Sequence, residues 1–270
     1  MAARMTKQQR GIQSVEIGLS LAMVLADSGG PQQLKDIAAR TGLSASKVHR
    51  YMVSLGRAGL VQQIDGRYEL GRAALDLGLA ALGRIDVVRL ASIALVALRD
   101  QIGETVFLAI WGNHGATIIR WEESSHPVTL NVRVGSVMPL LTSATGRLFA
   151  AFKPWDSVKE MVTREMAVLR KRSGYAPPMG LRAFRSLTDA IRAAGISQVE
   201  GTHLSDISAL SAPIFDNGGR MVAAVTALGP RGIFDCAVDG TVAARLLLAT
   251  GQVSEQLGYR RAKTVLQAAP

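Results

Sequence analysis

A chain of 270 residues is long for one small domain and comfortable for two. With 48% hydrophobic and 19% charged residues it carries ample apolar material for buried cores, which excludes a disordered chain, and no apolar run reaches the roughly 18 residues of a membrane span. Lys and Arg outnumber Asp and Glu by 31 to 21, and the resulting net charge of +10 suits a polyanion, nucleic acid before a membrane surface. The opening residues Met1 to Arg10 are polar and basic with no apolar signal core behind them. A single Cys236 rules out an internal disulfide framework and a Cys-cluster metal site. The expectation is a cytoplasmic, two-domain globular protein without cofactor or membrane partner.

In chain order, residues 12–26 place Val15, Leu19, Met23 and Ala26 at helical spacing, predicting a helix. Ser28-Gly29-Gly30-Pro31 ends it. A short second helix, Leu34–Arg40, has Leu34, Ile37 and Ala38 on one face, and Gly42 tolerates the positive φ that stops it. Ser44 then caps a third helix to about Ala58, with Val48, Met52 and Leu55 inward. After Gly59 the period changes to two: residues 60–64 and 67–70 flank Asp65-Gly66, a strong hairpin signal. Three helices followed by a hairpin describe a winged helix-turn-helix.

A helical stretch from Arg72 to about Ile102, broken near Gly83–Asp86, separates this part from a mixed region. There residues 105–111, 116–121, 128–132, 210–215 and 221–228 read as strands. Residues 144–152, 156–171, 186–194 and 239–257 read as helices. An antiparallel sheet with helices on its faces is the expected second domain.

The residues that carry a resemblance are Thr41-Gly42-Leu43-Ser44-Ala45-Ser46-Lys47-Val48-His49-Arg50, then Gly59-Leu60-Val61 and Tyr68-Glu69-Leu70-Gly71. Further on come Gly103-Glu104-Thr105-Val106, Pro139-Leu140, Ser143-Ala144-Thr145-Gly146, Gly195-Ile196 and Ala212-Pro213-Ile214-Phe215. In this order they resemble the IclR-type transcriptional regulators over about residues 12–258. The resemblance implies a multidomain chain: an N-terminal all-α winged helix-turn-helix with a basic arm (1–71), a linker helix region (72–102), a C-terminal α+β GAF-like effector-binding domain with an antiparallel sheet (103–258), and a tail (259–270). It also implies dimers or tetramers. The family's usual His-Ala-Thr-Ala-x-Gly-Lys stands here as Leu141-Thr142-Ser143-Ala144-Thr145-Gly146-Arg147.

For DNA, the third helix turns Ser46, Lys47, His49 and Arg50 away from its apolar seam. Ser44 and Ser46 near its N-terminus suit phosphate, and Arg50 suits the guanine edge that a guanidinium pairs bidentately. Tyr51 is placed at the helix edge against the backbone, and Arg67 beside the hairpin turn reaches from the wing. For an effector, residues 135–146 read as a loop entering a helix whose start, with Thr142, Ser143, Ala144, Thr145 and Gly146, suits a carboxylate. Leu130, Met138, Leu140 and Leu141 supply apolar walls, while by resemblance Ala209, Thr226 and Leu228 line the opposite side, with Glu200 nearby. A small organic anion fits that mixture, aromatic acids among the classes it would take.

Four other readings compete. Ser44 to Lys47 fits the Ser-x-x-Lys motif of acylating serine hydrolases, but the Ser-Asp-Asn and Lys-Thr-Gly elements that chemistry needs do not occur. Glu122 and Glu123 with His126 give close carboxylate–imidazole spacing but lack a third metal ligand. A small-molecule-binding enzyme using the helix-turn-helix only to dimerise would need a convergent nucleophile, base or metal set. A non-specific nucleic-acid binder would leave residues 103–258 without a task. The expected partners are therefore a double-stranded operator, a second copy of the chain and a small effector, with no catalytic residue and no metal.

Overall fold

The computed structural model describes residues 11–82, 86–124, 132–171 and 179–260. The chain divides into two compact units, Met1–Ile85 and Asp86–Pro270, so the expected 72–102 linker is split between them.

The first unit opens with α1 (Gln13–Ala26), α2 (Leu34–Thr41) and α3 (Ala45–Arg57). Helix α1 stands where the spacing predicts it; the face it buries is Gly18, Leu21 and Leu25, while Val15, Leu19, Met23 and Ala26 are exposed. It is apolar around most of its circumference, so periodicity alone does not choose its inner face. Gly18 marks the buried face, lying against α3 where an added Cβ would stand at ordinary contact distance, 3.8 Å, from Tyr51 and Leu55. Gly42 stops α2 in the left-handed region at φ 67°, and Ser44 caps α3, its hydroxyl accepting from the Lys47 amide at 3.4 Å. Val48, Met52 and Leu55 lie inward as the spacing predicts and join Leu21, Leu25 and Ile37 in one core.

Strands β1 (Val61–Ile64) and β2 (Arg67–Leu70) pair antiparallel about Asp65-Gly66, both at positive φ, the type I′ geometry that matches strand twist. Reciprocal 2.8 Å backbone bonds between Gln32 and Tyr68 tie this hairpin to the α1–α2 loop. Helix α4 (Arg72–Leu82) closes the unit.

The second unit starts on α5 (Val87–Ile102), capped by Asp86, whose carboxylate accepts from the Val88 and Arg89 amides at 2.9 and 3.1 Å. There follow β3 (Thr105–Gly112), β4 (Gly115–Glu122), β5 (Val137–Met138), α6 (Ala144–Phe152), α7 (Trp155–Lys171), α8 (Leu181–Ala194), β6 (Ser197–Glu200), β7 (Ile207–Phe215), β8 (Met221–Pro230) and α9 (Thr241–Gln256). The strands form one antiparallel sheet in the order β5-β4-β3-β8-β7-β6. Helices α5 and α9 pack together on one face and α6 on the other, with α7 and α8 stacked outside α6.

Helix α8 begins at Leu181 rather than near Ser186, because Phe184 extends its buried stripe of Thr188 and Ile191 by one turn. The short edge strands β5 and β6 had no sequence signal; two and four residues are too few for alternation to show. Of the expected strand at 128–132, residues 128–131 lie outside the described residues. Among the described residues no helix is long and apolar enough to cross a membrane, and no group of His, Cys, Asp or Glu is arranged to hold a metal.

Helix α6 is buried along Ala144–Ala151, as a helix sandwiched between a sheet and other helices must be. Its one charged residue, Arg147, is only 7% exposed. Its Nε donates to the Leu141 carbonyl at 2.9 Å and a terminal nitrogen donates to Gln198 of β6 at 3.5 Å. Glu165 of α7 completes the arrangement, accepting from the amides of Leu140 and Leu141 at 2.8 and 3.1 Å. Burial pushes the Glu165 carboxyl up against the pull of those amides and of Arg147, and pushes the Arg147 guanidinium down against the pull of Glu165. Together they pin the loop that enters α6. Gly146 brings the same loop closer still: any Cβ there would collide with the Pro139 carbonyl.

Candidate functional site

In the first unit the candidate surface is the outward side of α3. Ser46, His49 and Arg50 are exposed on it and Lys47 is half-buried at its edge. The Ser44 and Ser46 hydroxyls stand 3.4 Å apart at the helix N-terminus, where free amides and the helix dipole favour a phosphate. Arg67 is exposed on the wing, one guanidinium nitrogen 3.5 Å from the Pro31 carbonyl. Among the described residues none of Lys47, Arg50 and Arg67 is ion-paired, so their charge is available to a polyanion. Tyr51 belongs elsewhere: it is half-buried against the core beside Gly18 of α1. Arg40 is likewise structural, its guanidinium donating to Ser28 at 2.6 Å and joining α2 to the end of α1.

In the second unit a small cavity lies between the N-terminus of α6 and the sheet. Met138, Ser143, Ala144, Thr145, Ala209, Thr226 and Leu228 line it, as expected. Four other expected residues do not. Leu140 and Leu141 point into the core cluster with Phe184 of α8 and Val162 of α7, because Glu165 holds their amides. Gly146 is a packing position one step inside the helix. Glu200 is exposed on the strand face opposite Val199, which is the residue that reaches the cavity. Leu130 lies outside the described residues.

Phe107, Val132, Val199, His203, Leu204 and Ile207 complete the lining and were not anticipated. Phe107 and Val199 sit on strands whose inward register only the sheet pairing reveals. His203 is one of four scattered histidines, and its place follows from the β6–β7 connection.

The cavity is apolar apart from Ser143, Thr145, Thr226 and His203. Ser143 is spent on the loop: it accepts from the Gly146 amide at 2.9 Å and donates to the Pro139 carbonyl at 2.6 Å. Thr145 meets Thr226 at 2.8 Å, and Thr226 donates to Ser211 at 2.9 Å, a buried hydroxyl chain running from helix to sheet. Across the cavity Thr142 and His203 Nδ1 stand 3.3 Å apart. Burial pushes the His203 imidazole below its ordinary range, which keeps it neutral at neutral pH. The free volume is about 30 Å³, room for on the order of two waters, so an organic ligand must displace part of the wall. His203 and Leu204, on the connection between β6 and β7, lie outside any helix or strand, as do Val132 and the cap residue Ser143.

A winged helix with unpaired cations on the outward side of α3, in one chain with a second unit holding a pocket, is the architecture of a transcriptional regulator rather than an enzyme. Residues 14–65 match the family description "IclR helix-turn-helix domain" and residues 79–255 match "Bacterial transcriptional regulator IclR C-terminal". The chain belongs to the IclR family of bacterial transcriptional regulators. It is similar to the crystal structure of Pseudomonas aeruginosa HmgR, with 40% identity, a TM-score of 0.84, and 92% of this chain and 99% of that one covered. It is 30% identical over 261 residues to the glycerol operon regulatory protein of Streptomyces griseus, covering 93% of this chain and 99% of that protein. The transcriptional repressor IclR of Escherichia coli is 26% identical over 223 residues, 81% of this chain and 80% of that protein.

Proposed function

We propose that the protein is a cytoplasmic, homo-oligomeric repressor that reads a pseudo-palindromic operator and whose occupancy a small organic anion controls. The observation that carries the effector reading is the α6 pocket. Its apolar walls end at the first turn of a buried helix, where the Ser143 hydroxyl takes the Gly146 amide and the helix dipole favours negative charge. Thr145, Thr226 and the neutral imidazole of His203 supply the remaining polar contacts. An aromatic carboxylate would match this combination of flat apolar wall and anion-favouring end. The sign of control follows the relatives named as repressors, IclR of Escherichia coli and AllR of Klebsiella pneumoniae.

Self-association is supported by α1. Ile12, Val15, Leu19 and Met23 follow one another at helical spacing and are 68, 53, 54 and 49% exposed, a continuous stripe that a second copy would cover. Leu75 and Leu77 of α4 add exposed apolar area in the same unit. Two copies would present two α3 helices to half-sites about one duplex turn, or a multiple of it, apart. A ligand changes occupancy only by favouring one arrangement of the two subunits' DNA-binding units over another, and residues 72–102 are the connection through which we expect it to act.

The test is calorimetry with a panel of organic acids and their neutral amides or esters, followed by DNA release in fluorescence anisotropy. Heat and release with acids alone support the reading. Binding by neutral compounds with none by the acids overturns it.

A further inference from the structure

The outward face of α3 carries one residue that neither the fold nor the charge of the surface explains. Ser46, His49, Arg50 and Val53 fall at i, i+3, i+4 and i+7, so they share one side of the helix. Val53 is 41% exposed on that side, while the core takes Val48, Met52 and Leu55 from the other. A β-branched residue is also a poor choice for an exposed helix position, where its χ1 freedom is lost against the preceding turn. A single exposed apolar side chain is ordinary on a protein surface. This one continues a row of short polar and cationic groups aimed at a duplex.

In the major groove the apolar feature on the base edges is the thymine C5-methyl group, and aliphatic side chains recognise it by contact. From Arg50 to Val53 the helix rises about 4.5 Å, slightly more than one base step of about 3.4 Å. We infer that Val53 reads the 5-methyl group of a thymine in each operator half-site, within two base pairs of the position that Arg50 reads. This rests on the assignment of the α3 face to DNA. It adds a specificity determinant that discriminates by a methyl group instead of a hydrogen bond.

The experiment uses the full-length protein on its selected operator. Each thymine of a half-site is replaced in turn by uracil, which removes the methyl and leaves every hydrogen-bonding atom in place. Binding is measured for the wild type and for Val53→Ala, a change that raises helix propensity and so preserves α3. The expected result is one thymine per half-site whose replacement weakens wild-type binding about three- to tenfold, the worth of one or two buried methyl contacts. Val53→Ala should lose a similar factor on the unmodified operator and show no further loss on the uracil probe. Binding to random duplex should not change, which also reports that the variant is folded. If wild type and Val53→Ala respond equally to every uracil, the inference is overturned while the DNA face stands. If the wild type has no preferred sequence, the assignment of the face fails, and the reading of Val53 fails with it.

Discussion

The two units handle polar chemistry in opposite ways. The first displays it on the outside of α3, where His49 and Arg50 are exposed, unpaired and not required by the core. The second encloses it: Thr145, Thr226, Ser211 and Arg147 are all at most 7% exposed, and each is bonded to another part of the unit. Groups of the first kind can be altered without changing the fold, so their substitution reports on recognition. Groups of the second kind support the fold and shape the pocket together, and their substitution costs stability first. The contrast also separates timing. The proposed DNA face is already formed, whereas the pocket, with about 30 Å³ free, would have to widen to take the organic effector proposed for it.

Substitutions should follow this division. The largest effect belongs to the enclosed side. Arg147→Met takes a charged donor away from the Leu141 and Gln198 carbonyls and should lower the unfolding free energy by about 3 kcal/mol in urea titrations, because each buried acceptor so stripped costs about 1–3 kcal/mol. Loss of less than about 1 kcal/mol would mean that water takes the place of the guanidinium. On the displayed side, Arg50→Ala should cost about 1–3 kcal/mol on the selected operator with stability unchanged, and Lys47→Ala should weaken all sequences more evenly. Equal losses on operator and random DNA for both variants would remove Arg50 from base reading.

Helix caps permit a comparison of like with like. Ser44 accepts one amide at 3.4 Å and Asp86 accepts two at 2.9 and 3.1 Å. Each alanine substitution should cost about 1 kcal/mol, with Asp86→Ala the larger in thermal denaturation.

The smallest expected effect is that of His203. Burial holds its folded-state pKa below the ordinary value of 6.5, so the unfolded chain takes up the proton first. Stability should therefore fall as pH drops through 6.5 and below, and His203→Gln should flatten that part of the profile. A profile identical in both proteins would place the imidazole in water.

Legibility in the sequence follows the same line. The inward face of α3, the Gly42 stop, the Ser44 cap and the Asp65-Gly66 hairpin are local patterns, and the structure has each where the spacing predicts it. The Thr145–Thr226 contact joins residues far apart in the chain; the loop entering α6 is legible in its own residues, whereas only the resemblance to a family points to Ala209, Thr226 and Leu228 on the opposite side. Register decided the rest. Val199 faces in and Glu200 out because side chains alternate along a strand, and β6 is too short to announce its own register. The inner face of helix α1 is hidden for a related reason, since its exposed stripe is as apolar as its buried one and only the packing against α3 tells them apart.

The most direct test of sequence-selective regulation is enrichment of bound sequences from a random duplex pool by the purified protein at near-physiological salt. An inverted repeat, its half-sites spaced by about one duplex turn or a multiple, is the predicted result. Salt-sensitive binding without any enriched sequence would contradict it and leave a basic protein that holds DNA without reading it.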